Sequence, residues 1–472
     1  VQAGQVNNIR QTTFLGYQAG LNNSSSTTTF STAVGADALK TNTTSTHNSA
    51  FGWYALRLNT GGFNTAVGAY ALATNSNGAD NVATGAYAMA YNTTGRANTA
   101  FGRSALVQNI SGHFNTAMGA SALLSNTTGG NNTVLGAWAL YNSVNGNNAT
   151  AVGSKAMYYT TILDTNYNVA VGYETMYGSE TLSTGNYNTA LGYQTLWSAT
   201  TGEKNTATGY HALYSNTTGV HNTANGMNAL SANNGGSSNT AYGSYSLGHN
   251  STGNYNTASG SQALVALTTG TGNSAFGMLS GYTLTDGTYN TLIGYSADVD
   301  NASRSNCIVL AGNGNLSTYD NNQVRIGNAA MTSIGGQVGW TTLSDARIKD
   351  NVQENVPGLE FINLLRPVTY NYNISKENEL LGVKNKDTWP GMNDIQQIQF
   401  SGFLAQEVNT AAEKVGYQFS GVDKSTKLMG LRYAEFVVPL VKAVQELSAE
   451  NDNLRKTVEI LSKKVEALEN SK

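Results

Sequence analysis

Apolar and polar positions alternate in a fixed order along residues 31–300. The segments FNTAVGAYAL (63–72), ANTAFGRSAL (97–106), FNTAMGASAL (114–123) and KNTATGYHAL (204–213) share the pattern N-T-A-x-G-x-x-A-L, and polar connectors separate them. The motif glycine recurs every 17 residues from Gly85 to Gly153 and again from Gly192 to Gly294, with small insertions near Tyr159 and Gly178. This period indicates a repeat protein.

A 17-residue unit is too short for a helical hairpin, whose repeats exceed about 30 residues. It predicts one coil of a parallel β-solenoid (a β-roll or β-helix) with two short strands and tight turns per coil. Coils stacked at about 4.8 Å would make a stack of about seventeen coils roughly 80 Å long.

Each motif position predicts a place in the coil, and glycine permits a positive φ or a close backbone approach. The residue before each glycine is mostly apolar and is expected to fill a thin core: Val67, Phe101, Met118, Leu135, Val152, Phe276 and Ile293. The residue four positions after glycine predicts a second apolar ladder: Leu72, Met89, Leu106, Leu123, Leu140 and Met157. The opening asparagines predict a stacked amide ladder: Asn64, Asn81, Asn98, Asn115 and Asn132.

One chain would bury little apolar surface per coil, so we expect three copies to pack side by side as a homotrimer. The N-[TS]-A-x-G core resembles the head repeats of trimeric autotransporter adhesins. That resemblance implies a parallel β-roll in trimers, although the period here is longer.

Composition agrees with a regular β-structure that has a polar, uncharged surface. Only 11% of the residues are charged, against roughly 25% in an average soluble protein, yet the 26 tyrosines argue against disorder. A net charge of -3 gives no reason to expect nucleic acid as a partner. With Cys307 as the single cysteine and the histidines scattered, we predict no metal site and no cofactor. No apolar run reaches the roughly 18 residues of a membrane-spanning helix.

After Asn301 the repeat gives way to charged, mixed sequence. This region contains the segments SDARIK (344–349), LLRPVTY (364–370) and GFLAQEV (402–408), followed by Tyr433. They resemble the intramolecular-chaperone autoprotease domain at the C-termini of phage tailspikes, endosialidases and bacterial surface fibres. The resemblance covers about residues 344–436 and implies a small α+β chaperone domain that assembles trimers.

The resemblance also implies a site. Ser344 would be the nucleophile, Lys349 its partner, and Leu343–Ser344 the bond cut. A serine needs a base, and a lysine serves only when burial favours its neutral form. A serine that attacks the carbonyl before it needs no second substrate, so proximity supplies much of the rate. In the alternative interpretation Ser344 is a turn residue, Lys349 is a solvated charge, and the domain chaperones without cutting. Gln406 and Glu407 are expected to be structural.

The last segment shows the spacing of a coiled coil. Apolar residues follow a and d positions over Val437, Leu440, Val444, Leu447, Asn451, Leu454, Val458, Leu461, Val465 and Leu468. Asn451 at an a position would set the register, and the predicted core runs from Val444 to Leu468. Valine at a with leucine at d favours a dimer, whereas the resemblance implies a trimer. The alternative is one amphipathic helix docked on its own domain.

These patterns divide the chain into five regions: an N-terminal cap or attachment segment (1–30), the solenoid (31–300), a β-rich neck (301–343), the chaperone domain (344–436) and the coiled coil (437–472). They predict a secreted or cell-surface trimeric fibre or adhesin; the alternative is a phage tail fibre of the same build. The only expected reaction is self-cleavage, because the few solenoid carboxylates do not recur at the paired spacing that glycosidases need. The candidate ligands are a surface glycan or another cell-surface protein. Trp53, Trp138 and Trp197 suggest stacking on glycans, and the alternative is structural stacking at the coil edges.

Overall fold

A computed structural model describes residues 12–22, 30–43, 45–161, 166–179, 185–312, 317–318, 320–327, 331, 334–337, 339–381, 394–425 and 427–470. The chain forms two compact units, Val1–Arg325 and Ile326–Lys472.

The first unit is a parallel β-solenoid. Its strands are β1 (Thr13–Leu15), β2 (Thr32–Val34), β3 (Ser49–Phe51), β4 (Thr65–Val67), β5 (Val82–Thr84), β6 (Thr99–Phe101), β7 (Thr116–Met118), β8 (Thr133–Leu135), β9 (Thr150–Val152), β10 (Val169–Val171), β11 (Thr189–Leu191), β12 (Thr206–Thr208), β13 (Thr223–Asn225), β14 (Thr240–Tyr242), β15 (Thr257–Ser259), β16 (Ser274–Phe276), β17 (Thr291–Ile293), β18 (Asp298–Val299), β19 (Ile308–Leu310), β20 (Ser317–Thr318) and β21 (Val324–Ile326), the last of which ends one residue beyond the unit boundary.

Nineteen of these strands form one parallel sheet. Neighbouring strands pair at a spacing of one repeat, as in Thr99 with Thr116 and Phe101 with Met118. The prediction of a parallel solenoid is confirmed, but the prediction of two strands per coil is wrong, since β18 and β20 are the only strands outside this ladder among the described residues of the unit. The rest of each coil consists of turns. Hydrogen bonds between coils still pair the backbone groups of these turns, as in Tyr91 N, which donates to Val107 O at 3.0 Å.

A motif glycine follows each strand from β1 to β17, where a side chain would collide with the next coil. Gly102 has φ +138°, and a Cβ at this position would lie 2.5 Å from the carbonyl oxygen of Gly119 in the next coil. The chain then turns through two left-handed residues, Ser104 (φ 56°) and Leu106 (φ 53°). Glycine is therefore needed both for its dihedral angle and for the close approach of two backbones.

The core is made of small residues. The central residue of most ladder strands is a fully buried alanine, such as Ala100, and Val134, Leu292 and Val309 take this place in β8, β17 and β19. The leucine or methionine four residues after glycine, such as Leu106, is also buried. The predicted ladder from Leu72 to Met157 is therefore confirmed.

The residues before the motif glycine do not fill the core, and that prediction is wrong. Phe101 is 55% exposed. Because side chains alternate between the two faces of a strand, an inward alanine places both of its neighbours outside. Of the seven predicted residues, Val152 is half-buried and the others are exposed: Val67, Phe101, Met118, Leu135, Phe276 and Ile293.

The predicted asparagine ladder is present and buried. Asn98 donates from its backbone N–H and from Nδ2 to Asn81 Oδ1, at 3.0 and 3.1 Å. A second ladder, which we did not predict, runs through the N-x-x-G of the connectors, where Asn92 Nδ2 donates to Asn75 Oδ1 at 2.7 Å. The two ladders share an acceptor, since Asn81 Nδ2 and Asn92 Nδ2 both donate to the carbonyl oxygen of Gly95. Buried amides of this kind are stable only when their hydrogen bonds are made.

The second unit is small and of mixed class. Its elements are α1 (Leu359–Ile362), β22 (Val368–Tyr370), α2 (Ile374–Leu381), β23 (Phe400–Gly402), α3 (Ala405–Lys414), β24 (Val422–Asp423), β25 (Gly430–Leu431) and α4 (Val437–Glu469), with 3-10 turns at Ala346–Ile348, Asp394–Gln397 and Tyr433–Phe436. Its strands form two antiparallel pairs, β22 with β23 and β24 with β25. The core packs Phe361, Val408, Phe419 and Phe436 together.

Among the described residues, no helix combines the length and apolarity that crossing a bilayer requires. The same residues contain no group of three or more His, Cys, Asp or Glu side chains placed to hold a metal ion.

Candidate functional site

The predicted nucleophile and its partner lie in contact. Lys349 Nζ donates to Ser344 Oγ at 2.6 Å. The two residues are five positions apart, and a 3-10 turn over Ala346–Ile348 returns the chain between them. The turn is closed by Lys349 N, which donates to Ala346 O at 3.2 Å.

Asp345 and Arg347 build that turn. Asp345 Oδ1 caps it by accepting from Arg347 N at 2.9 Å, and Arg347 also donates from Nε at 3.0 Å and from Nη2 to Oδ2 at 2.6 Å. These bonds to Arg347 hold the pKa of Asp345 below its usual value. The family resemblance gave this pair no role, although the order S-D-x-R-x-K contained the signal.

The site is open in a single chain. Ser344 and Lys349 are both exposed, and Leu343, whose carbonyl would be attacked, is 83% exposed. Nothing within one chain excludes water from the described residues of this site.

The other motif segments meet in the fold. Arg366 Nε donates to Glu407 Oε2 at 3.1 Å, which ties the entry of β22 to the first turn of α3. The ion pair with Arg366 lowers the pKa of Glu407. Tyr433 Oη accepts from Phe403 N at 3.0 Å, so the last motif residue holds the end of β23. Glu407 therefore has a structural contact, and Gln406 lies beside it on α3.

Within the part of the chain that the structure describes, helix α4 packs on its own unit at its start. Pro439 and Ala443 are buried, and Glu446 Oε2 accepts from Leu359 N at 2.7 Å at the start of α1. Beyond this point the predicted coiled-coil core is exposed throughout: Val444, Leu447, Asn451, Leu454, Val458, Leu461, Val465 and Leu468. Helix α4 therefore docks on its own unit at its start, as in the alternative of one amphipathic helix, and leaves the predicted coiled-coil core exposed.

Comparison with known families gives one match, which begins at Ser344. Residues 344–417 match the family Peptidase_S74, described as the chaperone of endosialidase. These residues are a chaperone of endosialidase domain. The match includes Lys349, Arg366 and Glu407, and it ends before Tyr433 and α4. No curated protein matches the chain.

Proposed function

We propose that the chain is the subunit of a trimeric extracellular fibre whose C-terminal domain guides assembly and then cuts itself off at Leu343–Ser344. The observation that carries the proposal is the chaperone of endosialidase domain at 344–417 with Ser344 and Lys349 in contact at its first turn. Its family implies self-association as a trimer. A surface adhesin and a phage tail fibre share this build.

The outer face of the solenoid sheet supports self-association. Its pre-glycine column carries large exposed side chains such as Phe51, Phe101 and Leu191, and after polar residues in β12, β13 and β15 it ends with Phe276 and Ile293. Contiguous exposed apolar patches mark interaction surfaces. None of the described strands from β1 to β19 in this sheet carries a charged residue at either outward position, so copies can meet without placing like charges together.

Crosslinking tests this face directly. Phe101→Cys lies in the column, whereas the matched control Phe114→Cys replaces a phenylalanine, 64% exposed, at the position before the repeat asparagine. The native Cys307 is buried. We expect a short bismaleimide to join neighbouring chains in the Phe101→Cys variant only. If trimers crosslink only in the control variant, the chain is still a trimer, but the proposal that this face lies between its chains is refuted.

Helix α4 would supply the second contact. Its exposed a and d side chains form an apolar stripe, and helices with such a stripe are expected to associate. Three copies packing through Leu447, Leu454, Leu461 and Leu468 would share the symmetry of the domain.

Cleavage follows from the site. Ser344 Oγ attacks the Leu343 carbonyl carbon while its proton passes to the Lys349 amine; the C–N bond breaks, and the Ser344 nitrogen takes that proton. The resulting ester is hydrolysed by water to a Leu343 carboxylate and a free Ser344 hydroxyl. A lysine takes a proton only when desolvation favours its neutral form. Since Lys349 is exposed in one chain, a neighbouring copy would have to cover it, so cleavage should follow assembly.

Denaturing gels test the reaction. Wild-type trimers should yield fragments 1–343 and 344–472, the smaller one beginning at Ser344. Ser344→Ala and Lys349→Ala should stay full-length and still fold, and the neighbouring hydroxyl variant Thr342→Ala should cut normally. Wild-type trimers that remain intact, or a fragment with another N-terminus, would refute self-cleavage and leave a domain that only chaperones.

A further inference from the structure

The coils of the solenoid are longest in one region. The motif glycines at 153, 172 and 192 are separated by 19 and 20 residues, whereas the units from 68 to 153 and from 192 to 294 keep to 17. In repeat proteins, insertions map to loops on one face, which is often the binding face. The same coils carry unusual side chains.

A row of polar side chains crosses these coils at the second position after the motif glycine. Lys155 Nζ donates to Glu174 Oε1 at 3.2 Å, and Gln194 Nε2 donates to Glu174 Oε2 at 2.9 Å. Gln194 Oε1 lies 2.8 Å from His211 Nε2. We call Lys155, Glu174, Gln194 and His211 the polar row.

One aromatic column flanks the polar row at the first position after glycine. Tyr173 stacks on Tyr193 with ring centroids 5.5 Å apart, and Tyr193 stacks on Tyr210 at 5.3 Å. All three side chains are exposed, Tyr193 by 43%. Tyr173 also bonds to the Glu174 carboxylate.

A second column lies at the fifth position after glycine. Five rings stack in it at centroid distances of 5.1 to 5.5 Å: Tyr141, Tyr158, Tyr177, Trp197 and Tyr214. His211 joins the two columns, 3.9 Å from the ring of Tyr210 and 4.6 Å from that of Tyr214. The polar row is therefore bordered by aromatic side chains on two sides.

The row carries no net charge at neutral pH. Burial tends to raise the pKa of Glu174, but hydrogen bonds from Gln194, Tyr173 and Lys155 outweigh it and hold that pKa below its usual value. Burial lowers the pKa of His211, which keeps the imidazole neutral. Lys155 and Glu174 balance each other, so an anionic ligand finds no excess positive charge.

We propose that the polar row and its two aromatic columns bind a neutral oligosaccharide lying along the solenoid axis. Tyrosine hydroxyls both donate and accept, as sugar hydroxyls do, and Lys155, Gln194 and His211 keep further donor or acceptor capacity. Within each column the aromatic rings stack face to face on their neighbours. They therefore present their edges and their hydroxyl groups to the sugar. The proposal rests on the proposed function to the extent that a surface fibre needs a ligand.

The chain contains its own matched control. Tyr54, Tyr70 and Tyr87 form another stack, with centroids 5.1 and 5.0 Å apart, in coils of 16 and 17 residues that carry no long insertion and no polar row. Tyr70→Ala and Tyr193→Ala each remove the middle ring of a three-ring stack. If stacking is only structural, the two variants should behave alike.

The test uses the intact trimer on an array of neutral oligosaccharides (glucans, mannans and galactans) with sialylated glycans beside them. We expect binding to a neutral glycan that Tyr193→Ala weakens at least tenfold and Tyr70→Ala leaves unchanged. Tyr193→Phe keeps the stack and loses one hydroxyl, so it should fold normally and weaken binding roughly 3- to 10-fold.

Three outcomes overturn the proposal: no binding to any neutral glycan, binding to sialylated glycans alone, or equal affinity in wild type and Tyr193→Phe. Trimer mass and cleavage are measured on the same samples. Loss of glycan binding with normal trimers and normal cleavage would therefore refute this site without refuting the fibre.

Discussion

Replacing Asn132 by alanine removes one step of the buried asparagine ladder. Asn132 Nδ2 donates to Asn115 Oδ1 at 3.0 Å and to Gly146 O at 2.8 Å. Its Oδ1 accepts from Ala149 N at 2.9 Å in the next coil. The substitution deletes all three bonds.

The cost follows from the groups left behind. The Ala149 N–H and the Gly146 carbonyl are buried and have no other hydrogen-bond partner among the described residues. A buried polar group without a partner costs about 1–3 kcal/mol. Two such groups give about 4 kcal/mol, which is roughly a thousandfold in the equilibrium for local opening.

Hydrogen exchange of peptides spanning residues 133–153 measures that opening. Exchange there should accelerate by roughly three orders of magnitude, while distant coils stay protected because solenoid coils interact chiefly with their neighbours. Asn132→Asp keeps an acceptor for Ala149 N but loses both donors and buries a charge, so it should be at least as harmful.

Asn131→Ala is the matched control, since Asn131 is exposed beside Asn132. Alanine disfavours the left-handed backbone of Asn131 (φ 59°), so this variant should lose about 1–2 kcal/mol of stability. Equal exchange in the Asn131 and Asn132 variants would refute the claim that the amide ladder stabilises the stack.

Three further predictions concern the rest of the chain. Burial raises the pKa of Asp298 from 3.8 to about 6. The native state therefore holds this proton more tightly than the unfolded state does. The contribution to the free energy of unfolding is full below about pH 4 and falls by up to about 3 kcal/mol as pH rises through 6. Tm measured at pH 4 and pH 7 should show this drop, and Asp298→Asn should flatten it; a wild-type Tm that rises across this range would contradict the assignment. Leu454→Asp with Leu461→Asp should abolish trimers and cleavage in light scattering and gels, and normal soluble trimers would show that the coil is dispensable. Gly119→Ala places a Cβ 2.5 Å from Gly136 O, so soluble yield should collapse; wild-type yield would show that the backbones can separate.

Periodicity predicted the architecture because a fixed spacing places the same residue at the same point of every coil. Ala100, Leu106 and Asn98 occupy such points, and for the leucine and asparagine the inferred roles are confirmed. The prediction for Phe101 was wrong because apolar character alone does not show which face of the strand the side chain lies on. Inside the narrow coil the strand centre is mostly alanine, with Val134, Leu292 and Val309 as larger exceptions, and the residues on either side of it lie on the outer face.

The candidate site was only partly visible in the sequence. The spacing of Ser344 and Lys349 suggested a pair through family resemblance, but their contact depends on a turn capped by Asp345. The polar row was missed because its members differ in residue type, although Lys155, Glu174 and His211 each stand two positions after a motif glycine.

The register of the ladders has a consequence for how such fibres vary between lineages. A duplication or deletion of one complete 17-residue unit returns every glycine, asparagine and leucine to an equivalent neighbour, whereas a change of any other size interrupts the ladders unless the surplus is looped out. Fibre length is therefore inherited in discrete steps of about 4.8 Å, and reach can evolve without redesign of the assembly domain.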